Sequence, residues 1–267
     1  MNRMPANSYN SLCDDFYVDM HVNTELELPR SRDTVLSFFE QIQKRYPTMG
    51  CFHRRRRNEF WLEEDHREDQ YRWVNLEPNR VGSGVVNPTA FEEAYAQHRL
   101  VLGLIPYMLG VNHLDIDSLD ITFAMDFDYL GGHDEVIAES LLGESAFGRL
   151  LDIPGSRAIG FSPVTIISLS DDDCTQARVS VESKTSVFEP RKKGRNNTDT
   201  AISLALTVRQ YPLTEGKFDS LASFDHQCCL VEELMAERIM PMFVQPLVDT
   251  IARKRSTWVR EGRSDGD

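Results

Sequence analysis

A strand-turn-helix unit in residues 119–142 limits the folds open to this chain more than any other sequence feature. Its first half alternates apolar and polar residues, which is the period-2 pattern of a half-buried strand. Gly131 and Gly132 end the strand, and a helix is predicted from Asp134, with apolar residues recurring at a period near 3.6. The alternating apolar residues are Leu119, Ile121, Phe123, Met125, Phe127 and Tyr129. The pattern predicts an amphipathic strand that leads directly into an amphipathic helix.

A second unit of this kind precedes the first by about 105 residues. Phe16, Val18, Met20 and Val22 alternate with polar residues, and a helix is predicted from about Asp33. The identity between the two units is poor, and any α+β protein can contain such a unit more than once. Two interpretations stay open: an internal duplication, or the recurrence of a common pattern.

The remaining patterns complete an alternation of strands and helices. Further helices are predicted after Asn87-Pro88-Thr89, at 146–151 and at 218–251, the last interrupted at Pro241 and Pro246. Strands are predicted at 14–28, 50–56, 59–64, 70–76, 80–86, 158–169, 176–187 and 201–210. This order predicts an α+β fold of two similar β-α-β(3-4)-α repeats, with a curved, mainly antiparallel sheet and helices on one side. The predicted divisions are a flexible arm (1–13), a first repeat (14–113), a second repeat (114–257) and a flexible tail (258–267).

The charge of the chain bears on its partners. The 267 residues carry a formal net charge of −13, so phosphate backbones and anionic membrane surfaces repel the chain overall. Basic residues are concentrated at 54–57, 191–195 and 253–255, whereas residues 114–139 hold eight acidic side chains and no lysine or arginine. Nucleic acid is therefore expected as a partner only through these local basic patches. Pairing between the oppositely charged stretches, within the chain or between subunits, is the simpler explanation.

The cysteines and the apolar segments bear on the compartment. Five cysteines without a CxxC pair or a zinc-ligand spacing indicate a reducing environment. No N-terminal signal segment is recognised, and no apolar run approaches the ~20 residues that span a bilayer. The chain is expected to be cytoplasmic, without membrane association.

In the order of its elements, the chain resembles a duplicated TATA-binding-protein-like or helix-grip protein, in which a curved sheet wraps a long helix. The resemblance covers residues 14–251. The segments RYP (Arg45–Pro47) and YRWVNLEP (Tyr71–Pro78) are also similar to uncharacterised bacterial proteins with this duplicated layout. The resemblance implies a fold but no activity, because no functional motif of the DNA-binding members is recognised.

One cluster has the composition of a metal site. Asp126 and Asp128 point to the same side of the predicted strand, and the glycine turn can bring His133 close to them, giving oxygen and nitrogen ligands for a divalent ion. The alternative is a solvent-facing acidic strand followed by a helix start that favours negative charge.

A second cluster has the composition of an anion or stacking site. Alternation sends Arg54 and Arg56 to one face of the strand, where guanidinium groups can bind carboxylate or phosphate. Trp61, Tyr71 and Trp73 lie nearby in the chain and can stack on rings. The alternative is cross-strand pairing of these arginines with acidic residues over a tryptophan core.

The sequence contains no catalytic signature and no cofactor motif. GxSxG, HExxH, P-loop and GxGxxG patterns are absent. His98 and His113 are interpreted as surface histidines, and Cys228 and Cys229 as buried structural cysteines without an orienting third group. No catalytic residue and no cofactor is predicted.

Three functions are weighed. The leading hypothesis is a non-catalytic binding or assembly protein that recognises a protein partner, or a second copy of itself, through a sheet surface or charged loops. The first alternative is a helix-grip protein that binds or converts a small molecule in a cavity under the long helix, lined by Phe91, Tyr95, Tyr107 and Phe161. The second alternative is an anion or nucleic-acid binder that uses Arg54–Arg57 and the 191–195 loop.

Overall fold

A single antiparallel sheet organises the molecule. A computed structural model of the chain describes residues 5–56, 58–143, 145–185, 200–213 and 217–264. The sheet has nine strands in the order β2-β3-β4-β5-β1-β6-β9-β8-β7, and each neighbouring pair is antiparallel. The strands are β1 (Asp15–Thr24), β2 (Cys51–Arg54), β3 (Phe60–Glu63), β4 (Tyr71–Glu77), β5 (Arg80–Val86), β6 (Ile116–Asp128), β7 (Val164–Ser168), β8 (Thr175–Thr185) and β9 (Thr200–Gln210).

The helices connect and follow these strands. They are α1 (Ala6–Asn10), α2 (Arg32–Arg45), α3 (Phe91–Met108), α4 (His133–Leu141), α5 (Ser220–Leu234) and α6 (Gln245–Ser264), with a 3-10 turn (Gly148–Asp152) and a π-helical segment (Met235–Val244). The predicted start of α2 is confirmed, because the Ser31 hydroxyl oxygen accepts a hydrogen bond from the Thr34 amide at 3.1 Å.

The core lies between the sheet and the helices. In β1 the even-numbered residues Phe16, Val18, Met20 and Val22 are buried, and their cross-strand partners on β6 are buried apolar residues as well. The helices α3 and α5 pack on this apolar side, α3 against β5 and β1, and α5 against β6 and β9. The predicted α+β class with an antiparallel sheet is therefore confirmed.

The Asn87 side chain forms hydrogen bonds to the first residues of β1 instead of capping a helix. The sequence predicts that Asn87 caps α3, but α3 begins at Phe91 and no side chain caps its first turn. Asn87 has a φ of 50°, and its side-chain oxygen accepts a hydrogen bond from the Phe16 amide at 2.7 Å. Its side-chain nitrogen donates to Asp15 at 3.0 Å. The left-handed backbone of Asn87 turns the chain out of β5, so the capping interpretation is wrong.

Helical residues occur within both terminal segments that the sequence predicts to be flexible. Residues 6–10 form α1, and its Ala6 and Tyr9 are buried against the core, where the rings of Tyr9 and Phe16 lie 5.3 Å apart. At the other end, α6 continues to Ser264.

Two predicted elements change in length or continuity. The long strand predicted at 158–169 is limited to Val164–Ser168, because only these residues pair with β8. The α-helical pattern is interrupted around Pro241, where the π-helical segment separates α5 from α6, whereas Pro246 lies in the first turn of α6. The helical path continues through all three. The wider π-turn changes the spacing of the carbonyl groups around Pro241, which has no N–H to donate. The basic loop predicted at 189–200 falls almost entirely on residues outside those described.

Candidate binding face of the sheet

The second face of the sheet carries no helix layer in the described part of the chain. The odd-numbered residues of β1, including Tyr17, Asp19 and His21, point away from the buried apolar residues and to this uncovered face. The registers place Trp61 on β3 opposite Asn75 on β4, Trp73 opposite Gly84, and Gly82 opposite His21. All of these residues therefore point to the uncovered face.

Two glycines of β5 make room for a tryptophan. A Cβ atom added at Gly84 would lie closer than 3.0 Å to Cε2 and Cζ2 of Trp73 and to Oδ1 of Asp19. A Cβ added at Gly82 would meet the side chains of Asn75, Trp73 and His21. Because glycine has no side chain, the Trp73 indole can lie against the β5 backbone. The Gly-Ser-Gly sequence of β5 is thus a packing surface for Trp73.

An aromatic row crosses this face, and we use that name for Arg55, Trp61, Trp73 and His21. The guanidinium carbon of Arg55 lies 3.8 Å from the Trp61 ring centroid, within the range of a cation–π interaction. The Trp61 and Trp73 rings are 5.2 Å apart and tilted by 38°, and the Trp73 and His21 rings are 6.0 Å apart. Both tryptophans are half-buried, so each keeps part of its surface accessible.

A buried carboxylate holds the Arg55 end of the row. Glu63 lies 3.2 Å from Arg55, 3.2 Å from His66 and 3.7 Å from His53. Burial acts to raise the pKa of Glu63, but contact with His66 and the nearby Arg55 and His53 hold that pKa below its usual value. Glu63 is therefore ionised at neutral pH and orients the guanidinium group that packs on Trp61.

A second ion pair holds the other end. Arg209 donates two hydrogen bonds to Asp120, from Nε to Oδ1 at 2.7 Å and from Nη2 to Oδ2 at 2.6 Å. Asn23 donates to the same carboxylate at 3.2 Å, and Arg80 donates to Asn23 at 2.8 Å. The hydrogen bonds to Asp120 raise the pKa of Arg209. This bidentate geometry fixes the side chains beside His21.

His21 is neutral at physiological pH. Burial, followed by the charge of Arg80, lowers the pKa of its imidazole to about 4. The row therefore presents one cation, Arg55, and three uncharged rings.

Two buried polar atoms at the row have no hydrogen-bond partner among the described residues: Nε1 of Trp61 and Oδ1 of Asn75. The two residues are cross-strand neighbours. An unsatisfied buried group costs about 1–3 kcal/mol, so ring packing is kept here at the expense of hydrogen bonding. Such local conflicts concentrate at functional positions in natural proteins.

The structure brings together only part of the predicted stacking site. Trp61 and Trp73 meet on the uncovered face, whereas Arg54 lies over the Phe60 ring at 5.9 Å and donates to the Arg56 carbonyl. Arg56 lies 3.9 Å from Glu59. The arginine that joins the tryptophans is Arg55, which the sequence interpretation placed on the other side of the strand. The strand register indicates this arrangement. His53 pairs with Trp61, and Arg55, two residues further along the chain, lies on the same side as His53.

Tyr95, the remaining predicted ligand residue, lies on α3 on the helix side of the sheet. Its hydroxyl donates to Glu232 at 2.8 Å, and its ring packs against Phe91 and Phe224. Burial, more than any nearby charge, raises the pKa of the Tyr95 hydroxyl. Tyr95 is thus a core residue, separated by the sheet from Trp61 and Trp73.

The three predicted metal ligands do not gather. Asp126 accepts a hydrogen bond from the Tyr17 hydroxyl at 3.1 Å, and the Asp128 amide donates to Asp14 at 2.7 Å. Both ring nitrogens of His133 are engaged, with the Ser183 hydroxyl and the Tyr129 carbonyl, each at 2.8 Å. Among the described residues, no group of three histidine, cysteine or carboxylate side chains is arranged to hold a metal ion.

The histidine and cysteine residues near the long helices are structural. His98, interpreted from the sequence as a surface histidine, is fully buried, and its Nδ1 lies 2.9 Å from the Ser83 hydroxyl. Cys228 is buried, as predicted, but Cys229 is exposed. Burial raises the pKa of the Cys228 thiol, which therefore is not an activated nucleophile.

No protein-family model matches this chain, and no curated protein sequence is significantly similar to it. Within the described residues, no helix combines the length and the apolar content that crossing a bilayer requires.

Proposed function

We propose that this chain is a non-catalytic binding protein that recognises a protein partner through the uncovered face of its sheet. The observation that carries the proposal is the aromatic row on that face. Two half-buried tryptophans and an arginine are oriented by buried contacts on a surface without a helix layer. Tryptophan and arginine are the residues most enriched among the strongest contacts of protein interfaces.

The charges on this face favour a protein over nucleic acid. Arg55, at one end of the row, is paired with Glu63, and Arg209, beside the other end, is paired with Asp120. Both cations therefore already have carboxylate partners. The net charge of −13 repels a phosphate backbone. A partner that presents apolar or aromatic side chains to the two tryptophans fits the row best.

The two alternatives have less support. The residues expected to line a cavity under the long helix are packed or exposed instead: Phe91 lies 5.0 Å from Phe123 and 5.9 Å from Tyr95, and Tyr107 is 87% exposed. The anion-binding alternative depends on Arg54–Arg57 and on the 191–195 loop. Arg54, Arg55 and Arg56 have different contacts, and Arg57 and the loop lie outside the described residues.

The proposal includes an origin of this sheet from two similar modules, as the TATA-binding-protein-like or helix-grip resemblance implies. Two features support it. In each half the first strand pairs with the last one, β1 with β5 and β6 with β9, and a long helix follows. The first strands, β1 and β6, pair with each other at the centre of the sheet.

The second supporting feature is a pair of buried glutamines. Gln97 on α3 donates to the carbonyls of Trp73 and Gly84, both at 3.1 Å. Gln227 on α5 donates to the carbonyls of Leu119 and Val208, at 2.7 and 2.9 Å. Both helices read Gln-x-x-Leu-Val, at 97–101 and 227–231. Each glutamine bonds the last strand of its half, β5 or β9, to a neighbouring strand, and together with the short sequence match this supports a duplication.

Position-specific cross-linking tests the proposed binding face. A photoreactive phenylalanine derivative replaces His53, the cross-strand neighbour of Trp61, or Met242, an exposed residue of the π-helical segment, in cells of the natural host. We expect a defined protein adduct from position 53, lost when Trp61 is also changed to Ala, and no equivalent adduct from position 242. Adducts that form equally from both positions, or that persist without Trp61, would rule the binding face out.

A further inference from the structure

The two edges of the sheet differ in how they resist pairing with other strands. At one edge, β2 has only four residues and contains His53 and Arg54, with Arg55 and Arg56 following at once. Short length and positive charge are the usual devices that keep an edge strand from pairing. At the other edge, β7 is Val-Thr-Ile-Ile-Ser, and residues 158–170 around it contain no charged side chain. The β7 edge therefore lacks the protection that the β2 edge has.

The β7 edge is also apolar and exposed. All five residues of the strand are exposed, with Val164 at 51%, Ile166 at 59% and Ile167 at 47%. The large apolar side chains exposed in this part of the chain are Phe147, Leu150, Ile153, Ile159, Val164, Ile166 and Ile167, and only eight others are exposed in the rest of the described chain. Apolar side chains concentrated in this way mark an interaction surface.

The backbone of β7 has hydrogen-bonding groups that point outward. The Pro163 carbonyl accepts from the Val181 amide, and the Leu169 amide donates to the Thr175 carbonyl, so the odd-numbered residues bond to β8. Because antiparallel pairing alternates, the amides and carbonyls of Val164, Ile166 and Ser168 point to the open edge. In the described part of the chain, no strand pairs with that edge.

We infer that β7 pairs antiparallel with β7 of a second copy of this chain, forming a symmetric dimer with a continuous sheet through both subunits. The twofold axis passes through Ile166, so that Val164 lies opposite Ser168 of the second copy and Ile166 opposite its own counterpart. This register joins the outward groups in about six hydrogen bonds. The inference is based on a different surface and a different observation from the proposed partner-binding face.

Charge and area select a second copy as the occupant. Self-pairing places no charged residue opposite another, although each chain carries a net charge of −13 that would repel a copy approaching elsewhere. An uncharged edge offers no electrostatic feature by which it would select a different protein. A stable dimer buries about 800 Å² per partner. The exposed apolar side chains of Val164, Ile166 and Ile167 contribute to that area.

A variant at the axis tests the inference, with sedimentation velocity measured over a wide range of protein concentration. The wild type is expected to show a monomer–dimer equilibrium. Ile166→Lys places two ammonium groups opposite each other, and we expect the dissociation constant to rise about tenfold or more. Ile166 is exposed, so the circular dichroism spectrum should stay that of the wild type, as should the urea midpoint at protein concentrations where the wild type is monomeric. Leu114→Lys, at an exposed leucine away from the β7 edge, is the control and should dimerise as the wild type does.

Amide hydrogen exchange identifies the interface independently of any variant. The amides of Ile166 and Ser168 should exchange more slowly as the concentration rises, whereas those of Thr165 and Ile167, bonded to β8, should be protected at every concentration. A wild type that is monomeric throughout, an Ile166→Lys protein that dimerises unchanged, or exchange at Ile166 that is independent of concentration would each overturn the inference. Cross-linking from position 53 is expected to be the same in the Ile166→Lys protein, so the two proposals can fail separately.

Discussion

Trp73 lies flat against Gly84 on the neighbouring strand, where the two residues are directly paired. The absence of a side chain at Gly84 lets the indole reach both Trp61 and His21. The position of the aromatic row therefore depends on one glycine that has no polar or catalytic role of its own.

Gly84→Ala should move Trp73 and destabilise the protein. The new methyl group would overlap the indole and the Asp19 carboxylate, and overpacking of this kind costs about 1–3 kcal/mol. Urea unfolding followed by circular dichroism measures the cost, and near-ultraviolet circular dichroism reports the moved indole. Gly103→Ala is the matched control, because a Cβ there meets nothing within 4 Å and an exposed helical glycine gains up to about 1 kcal/mol on this change. Equal effects of the two substitutions would contradict the packing role of Gly84.

Asp120→Asn should destabilise the protein far more than a matched change at the surface. Asp120 is buried and binds Arg209 through both oxygens, so the variant leaves a guanidinium group without its counter-charge, at a cost of about 1–3 kcal/mol. Asp225 forms an ion pair with Arg99 at 2.7 Å, but both side chains are exposed. Asp225→Asn should therefore change the free energy of unfolding by less than about 1 kcal/mol. The two urea midpoints give the comparison, and a similar shift in both would show that the Asp120 pair is no stronger than a surface pair.

The protein should lose stability as the pH falls below about 6.5, where unfolded histidine takes up a proton. Burial, as the largest cause, lowers the pKa of His98 to about 3 and that of His21 to about 4. Between these values and 6.5 the unfolded chain binds protons that the folded chain does not. Each of the two histidines then contributes a loss of about 1.4 kcal/mol per pH unit. The loss starts above the range in which most carboxylates titrate.

Urea unfolding at pH 7.0, 6.0 and 5.0 measures this dependence. His98→Gln keeps an acceptor for the Ser83 hydroxyl and cannot be protonated, so the slope between pH 6.0 and 5.0 should fall by about half even if stability at pH 7.0 is reduced. His226→Gln, at an exposed histidine, is the control for the substitution itself and should change the slope less than His98→Gln does. An unchanged slope in the His98 variant would contradict the neutral, buried state of this residue.

The two buried glutamines should contribute similarly if the halves of the sheet are equivalent. Gln97→Leu and Gln227→Leu each remove hydrogen bonds to buried carbonyls, and we expect each to cost about 1–3 kcal/mol. Gln245 is exposed and bonds only to Asp249 at 2.9 Å in the described structure, so Gln245→Leu should fall within about 0.5 kcal/mol of the wild type. Urea midpoints provide the measurement. A large cost at one buried glutamine and a negligible cost at the other would remove this support for two modules.

Local patterns in the sequence predict most of the elements correctly. The alternation of apolar and polar residues in β6 and β1 and the start of α2 near Asp33 depend on residues close in the chain. Each is determined by backbone sterics or by the period of a strand or helix, so one sequence suffices.

The sequence by itself determined the α+β class, the two faces of each strand and the position of most helices. Only the tertiary structure decided which face stays uncovered, that Arg55 and not Arg54 meets Trp61, that Tyr95 lies on the opposite side from both tryptophans, and that β7 ends the sheet. Alternation states which residues share a side of one strand, but it contains no information about register between strands or about what packs on each side. Those choices come from contacts between residues far apart in the chain, such as Trp73 with Gly84 and Asp120 with Arg209.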